Sequence, residues 1–515
     1  MKKLLLLKTL ILLAGISSAQ IIHVPGDYGT IQEGIDAANK GDTVLVDTGT
    51  YLENINFRGK AITVASKYLI DQDSVFINHT VIDGSDPVYP DSAAVITLCN
   101  GEDSASIICG FTITGGAGNK INVPAIGEIV FGGGICCDHA GAKIIHNKII
   151  NNQVIGENAT AGGGVGTNEQ GDLWIIIRDN TIENNLSNAN DLIAYGGGLA
   201  LIGKAFLEGN KIHNNHVFSQ DGWTHGGGAY IEAAIYSPDS IMLHENIISD
   251  NISECNGEEA RGGGLFILYG KPIITENSFI NNSCIGNDVG CFGGAISLWN
   301  PAGDLILSDN LISGNFQESS LNLIAPGVHI WEPSGSVTFT NNVLYKNTVA
   351  KDHYTFGGGA FIVDVKENEL IIDGNKFLEN QARAGGGIQI RWCYNVSVTN
   401  NLFSGNDAYR GGGMTIRQDQ PTSDYKFEIV NNTFYQNTAD DWGGAIRMFD
   451  NEGGNVVTFN NIFWENFAQN DGSTISNSSD DTIFIHRSNI NPDDIQGYWS
   501  GDDNINEDPL FAPGD

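Results

Sequence analysis

Gly262-Gly-Gly-Leu-Phe-Ile267, then Asn277-Ser-Phe-Ile-Asn-Asn282, then Gly293-Gly-Ala-Ile296: this stretch holds two motifs that alternate along most of the chain. The first is Asn-x-apolar-x-x-Asn. Its copies begin at Asn147, Asn180, Asn210, Asn246, Asn277, Asn310, Asn342, Asn375, Asn401, Asn432 and Asn461. The late copies carry Phe377, Phe403, Phe434 and Phe463 at the centre. The second motif is Gly-Gly-(Gly/Ala)-apolar-x-apolar, with Ala325-Pro-Gly-Val-His-Ile330 as its most divergent copy. Its third residue falls at Gly134, Gly164, Gly198, Gly228, Gly264, Ala295, Gly327, Gly359, Gly387, Gly413 and Ala445. The interval averages about 31 residues, a period that belongs to solenoids rather than to globular domains in series.

Apolar-x-apolar after the glycines is a period of two, the pattern of a strand with one buried face. Each segment is too short to stand as an independent sheet. Stacked coils resolve this, because each strand pairs with its equivalent in the next coil. Glycine permits the sharp corner, and Asn tolerates similar angles. A recurring Asn row can also form a ladder of side-chain hydrogen bonds. The reading is an all-β chain: a right-handed, single-stranded parallel β-helix.

The ends and the loops add detail. Tyr28 to Asn39 has helical periodicity at Ile31, Ile35 and Ala38, and Thr30 with Glu33 forms a capping box. A short helix should therefore cover the first coil. Strands follow at 43–46, 62–65, 95–98 and 111–114. The second Asn of each motif lies twelve or thirteen residues before the next glycine anchor through seven copies, then seven or eight after Asn380, Asn406 and Asn437. This trimming should expose the adjoining sheet face. The organisation reads as a leader at 1–19, a cap and first strands at 20–69, opening coils at 70–130, eleven tandem coils at 131–466, and a final coil with tail at 467–515. No polar cap is legible after Phe511, which reads as an incomplete product or a chain that relies on a further domain.

Lys2, Lys3 and Lys8 flank the apolar run Leu4 to Ala14, and Ser17, Ser18 and Ala19 precede Gln20. That is a secretory signal peptide, cleaved after Ala19. The expected location is secreted or cell-surface, with no transmembrane segment in the mature chain. The formal charge of -35 repels nucleic acid and anionic membranes. It suits a soluble extracellular protein, and its carboxylates could hold Ca2+. No other cofactor and no metal centre is expected. None of the eight cysteines forms a CxxC pair, so structural zinc is not expected. Cys255 and Cys284 occupy similar places in adjacent coils and are candidates for a disulfide.

His23-Val-Pro-Gly-Asp-Tyr-Gly-Thr-Ile-Gln-Glu-Gly-Ile-Asp-Ala-Ala38, with Gly41-Asp-Thr-Val-Leu-Val46 and Gly49-Thr-Tyr-Leu-Glu-Asn-Ile55, resembles the opening of pectin-lyase-like β-helix proteins. The resemblance covers about fifty residues and implies the fold. That superfamily includes pectinesterases and polysaccharide lyases. Across 131–466, Gly-Gly-Ala-Ile and Phe-x-x-Asn are similar to the repeats of chlamydial polymorphic membrane proteins, which are adhesins. The superfamily's catalytic signatures do not carry over. There is no Asp-Phe-Ile-Phe-Gly, no Gly-His-Gly and no Arg-x-Pro-x-x-Arg. His225 precedes glycines but lacks one before it. Whether the chain is an enzyme is left open. Copper delivery fits poorly, since neither His nor Met clusters at ligand spacing.

If the first and third residues after each glycine anchor face inward, the second and fourth face outward. The fourth-residue row then places Trp299 beside Trp331 and Arg391 beside Arg417, about 5 Å apart. The second-residue row adds His329, Gln389, Thr415 and Arg447. Five of nine arginines (Arg383, Arg391, Arg410, Arg417 and Arg447) fall in one window with Trp392, Asp407, Tyr409, Asp440, Asp441 and Trp442. That window is also where the loops shorten. A guanidinium grips carboxylate or sulfate through a planar fork, and aromatic rings offer a platform to a sugar. The expectation is a groove for an acidic polysaccharide or cell-surface glycan, adhesin-like, across the last coils. The alternative is a polysaccharide lyase using an Arg or Lys base, or a hydrolase drawing on Asp407, Asp440 and Asp441. The bland reading is Arg–Asp pairing on a solvated face.

Overall fold

The computed structural model describes residues 19–511 apart from 124–125, 169–172, 234–239, 322, 351–354, 367, 419–425, 450–454 and 471. Nearly all of the expected leader and the last four residues lie outside the described residues. Short strands from successive coils pair in parallel. Leu265–Leu268, for example, lies between Ala229–Glu232 and Ile296–Trp299. The result is a solenoid of about thirteen turns.

One coil shows the route. Leu265–Leu268 lies in sheet C, Lys271–Thr275 in sheet A and Ser278–Ile280 in sheet B. Leu265, Ile267, Ile274 and Phe279 point into one continuous core that runs the length of the stack. Burying an aliphatic or aromatic side chain of this size stabilises by about 1.5–3 kcal/mol. In the late coils Phe377, Phe403, Phe434 and Phe463 stack face to face, with centroids 4.7, 4.6 and 5.0 Å apart.

Two buried Asn rows hold the corners on either side of sheet B. As far as Asn432 and Asn437, each ladder Asn donates its backbone N–H and its Nδ2 to the Oδ1 of the next Asn, and Asn461 then donates its N–H to Ser488 Oγ. Asn251 to Asn282 (3.2 and 2.9 Å) and Asn282 to Asn315 (2.9 and 3.1 Å) are typical. The left-handed angle falls on the residue before the ladder Asn, as at Glu276 (φ 57) and Asn281 (φ 54). The third corner turns at Gly262 (φ 62).

The cap is as expected. The helix Ile31–Ala37 has a complete capping box between Thr30 and Glu33, and it buries Ile31 and Ile35. Glu53 reaches from a neighbouring coil to accept from the N–H groups of Ile31 and Gln32 at 2.9 and 3.0 Å. Strands form at Thr43–Val46, Thr63–Ser66, Ile96–Leu98 and Thr112–Thr114, within a residue of their expected places.

Three expectations are corrected. The long segment between the second Asn and the glycines is two further strands. Ser283–Gly286 belongs to the seven-stranded sheet E, and Gly290–Phe292 to the fourteen-stranded sheet D. Trimming in the last coils removes only the sheet E strand, so Gln381–Ala384 of sheet D follows Asn380 directly. Sheet D therefore still covers sheet C there. For the same reason the second-residue row is not exposed: Tyr230, Phe266, His329, Gln389, Thr415 and Arg447 are all buried beneath sheet D. Finally, all eight cysteines are free. Register sets Cys255 opposite Gly286 and Cys284 opposite Ser253, and each thiol donates to a carbonyl, of Gly222 and Ala260 respectively.

Candidate functional site

Sheet D leans over the outer face of sheet C, and a trough runs along the solenoid between them. Its wall is the sheet D residue just before each glycine corner: Phe131, Tyr195, His225, Arg261, Phe292, Phe356, Arg410 and Trp442 among them. Its floor is the fourth row of sheet C, and the buried second row lies beneath the wall. The fourth row stays in register through Trp299, Trp331, Val363, Arg391, Arg417 and Phe449.

Trp299 and Trp331 stack at 5.7 Å with 19° between planes, both half-buried. Trp299 Nε1 donates to Ser297 Oγ (3.1 Å), and the Arg261 guanidinium lies 3.8 Å from the Trp299 ring. Glu259 fixes Arg261 through Nε and Nη2. Val363 is buried and separates this aromatic pair from the arginines.

The arginines interleave with rings. Arg410 lies 4.7 Å from Trp442, Arg447 5.0 Å from Trp442 and 5.7 Å from Phe449, and Arg417 5.1 Å from Phe449. Arg391 lies 3.9 Å from Trp392. Stacking covers the faces of a guanidinium and leaves recognition to its donor edge. That edge is committed in Arg447, which donates to Ser476 and Ser478 (2.6 and 2.8 Å) and is 7% exposed. Arg410 Nε donates to Asp441 (2.9 Å), and Asn470 binds the other oxygen of that carboxylate (2.7 Å). A bulge opposite Tyr409 turns Asp441 inward for this contact.

The expected cluster therefore divides. Arg391 and Arg417 share the trough with Trp299 and Trp331. Arg383 and Tyr409 alternate to the other face of sheet D, where they contact each other at 5.0 Å, and Asp440 is exposed there. Asp407 is also exposed and accepts from Thr438. Asp441 and Arg447 are structural. Among the described residues, Asp441 with Arg410 is an Asp–Arg pair of this window.

The trough continues beyond the window singled out from sequence. At its opposite end lies an 820 Å³ cavity lined by Asn54, Asn56, Asp86, Tyr89, Asn119 and Asp138, among others. Beside it a 180 Å³ pocket sits under the antiparallel hairpin of Gly118–Val123 and Gly127–Phe131. Tyr195, Tyr230 and Glu232 line that pocket, and Tyr230 donates its hydroxyl to Glu232. Burial raises the Tyr195 phenol to about 12 and also raises Glu232. Tyr195 was missed because it belongs to a wall that only folding creates, whereas Asp138 and Glu232 stand on the fourth-residue row that the repeat predicts to face outward. The signal lay in the residue before each glycine triplet. Asp138 and Glu232, three coils apart on the fourth row, stand about 14 Å from each other, too far for a hydrolase pair.

Two histidines are buried at the trough, His225 in the wall and His329 beneath it. His225 stacks on Phe266 at 4.5 Å, and burial followed by the Arg261 charge holds it well below its ordinary range. The same causes depress His329 from 6.5 to about 3, and its Nδ1 lies 3.1 Å from Ser297 Oγ. Both rings are neutral and shielded, so neither is placed for acid–base work. A depressed folded value means the unfolded chain binds the proton first. Stability is thus full above about pH 6.5 and is lost as pH falls toward 3. Urea unfolding should lose up to about 1.4 kcal/mol per pH unit in this window through His329. His329→Gln should reduce that slope; an unchanged slope would refute the assignment.

His244, Glu245 and Glu276 bring three ligand atoms within 4.8 Å of one another at the corner of sheets A and B, away from the trough. Among the described residues no helix is long and apolar enough to cross a membrane. The family described as the right handed beta helix region matches residues 235–384 and 357–490, in agreement with the coil stack. No curated protein and no solved structure matches the chain.

Proposed function

We propose that this right-handed β-helix is a secreted or cell-surface protein that binds an acidic polysaccharide along the last coils of its trough, in the manner of an adhesin. The observation that carries the reading is the unbroken row from Trp299 through Arg417. It puts a stacked aromatic shelf and two arginines on one floor, a rung apart within each pair. The aromatic shelf suits the apolar face of a sugar, and the arginines suit its carboxylate or sulfate. The similarity of residues 23–55 to pectin-lyase-like openings supports a carbohydrate ligand, and the repeats similar to polymorphic membrane proteins support adhesion.

The test is retention of the leader-free chain on a panel of immobilised acidic polysaccharides, with and without Ca2+. Retention without chain cleavage is the expected result. Unsaturated product absorbing in the ultraviolet would move the protein to the lyases instead. Arg391→Ala with Arg417→Ala should weaken retention by at least about tenfold, from the loss of two charge-assisted contacts. Undiminished retention by that double variant would overturn the reading.

A further inference from the structure

The pocket at the far end of the trough has a different chemistry. Its 180 Å³ are walled by Tyr195, Tyr230 and Phe131, with Ile121 and Ile202 among the further apolar lining, Thr167 and Asn168 at its polar edge and Glu232 at the floor. A dry cavity of about 150 Å³ holds one benzene ring, so this space takes one group of that size. Glu232 is half-buried and accepts from Tyr230, and among the described residues no cation reaches it. Arg261, the cation of the adjoining wall, is held by Glu259 (2.5 Å). The Tyr195 and Tyr230 rings lie 4.5 Å apart, tilted at 41°.

A carboxylate without a counter-charge, ringed by aromatic and aliphatic carbon, is complementary to an organic cation. Ring faces are electronegative and attract a cation placed over them. A cation wrapped in methyl groups is weakly hydrated and enters an apolar pocket at low cost, whereas a metal ion would have to shed its water. The formal charge of -35 raises the local concentration of any cation. We propose that this pocket binds an alkylated ammonium group, such as the trimethylammonium head of choline. The site lies several coils from the arginines and does not depend on the acidic-glycan reading.

Calorimetric titration of the leader-free chain with choline chloride tests it. One saturable site is expected. The uncharged isostere 3,3-dimethylbutan-1-ol should bind at least about tenfold more weakly, since only the charge differs. Glu232→Gln keeps an acceptor for Tyr230 and should cause a similar loss with an unchanged circular dichroism spectrum. Ile202→Trp, which fills the pocket, should abolish binding, and Arg391→Ala should leave it intact. Cosedimentation with phosphatidylcholine vesicles identifies the source. Choline bound with vesicles ignored indicates a soluble ligand; both bound indicates a lipid head group. No choline binding overturns the proposal, as does equal binding of the isostere or of Glu232→Gln.

Discussion

Asn282→Ala should destabilise the solenoid more than almost any other single deletion of a polar side chain. Asn282 is fully buried. Its Oδ1 accepts from the backbone N–H and the Nδ2 of Asn251 (3.2 and 2.9 Å), and its Nδ2 donates to Ile248 O (2.8 Å) and Asn315 Oδ1 (3.1 Å). Alanine removes all four bonds and leaves the Asn251 N–H and one hydrogen of the Asn251 amide without their acceptor in the interior. Each orphaned buried group costs about 1–3 kcal/mol, so the loss should reach about 3–5 kcal/mol. Urea unfolding followed by circular dichroism reads it directly. Asn281→Gly, one residue earlier, is the control. Asn281 is exposed at φ 54, an angle glycine adopts freely, so that change should be near neutral. If the two variants unfold at the same urea concentration, the ladder contributes little and the corners are held by the apolar core alone.

Gly263→Ala should be comparably severe for a steric reason. A Cβ at residue 263 would lie 2.2 Å from the carbonyl oxygen of Gly294 and 2.5 Å from that of Ser283. Both are backbone atoms, one of them in the next coil, so no side chain can rotate away. Relief requires two coils to separate, breaking ladder hydrogen bonds in sheet C. The expected loss is about 3 kcal/mol or more, the upper end of overpacking effects. Gly41→Ala separates this clash from glycine's conformational role. Gly41 has φ +89 with nothing within 4 Å of the added atom, so only backbone strain of about 1–2 kcal/mol applies. A smaller effect at residue 263 than at residue 41 would mean the coils are packed less closely than described.

The proposed site was only partly legible. Trp299, Trp331, Arg391 and Arg417 could be placed on one row because a parallel stack repeats each position at a fixed offset, and the structure keeps that row in register. Arg447 and Asp441 could not be sorted in the same way. Both look like outward polar residues in the repeat. Arg447 is buried because sheet D arches over the second row, and Asp441 because a single bulge inverts its side of the strand. Arg383 and Tyr409 lie in the same window of sequence yet on the opposite face of sheet D, since alternate residues of a strand face apart.

What the sequence determined by itself is the coil: its period, its glycine corner, its two Asn ladders and its helical cap. These depend on interactions that recur at the same offset, so repetition along the chain reports contact in space. What only the tertiary structure decided is which outward residues remain outward. Sheets D and E, the trough, the buried histidines and the pocket at Glu232 arise where one sheet folds over another. That contact joins rows with different offsets, and no period in the sequence records it.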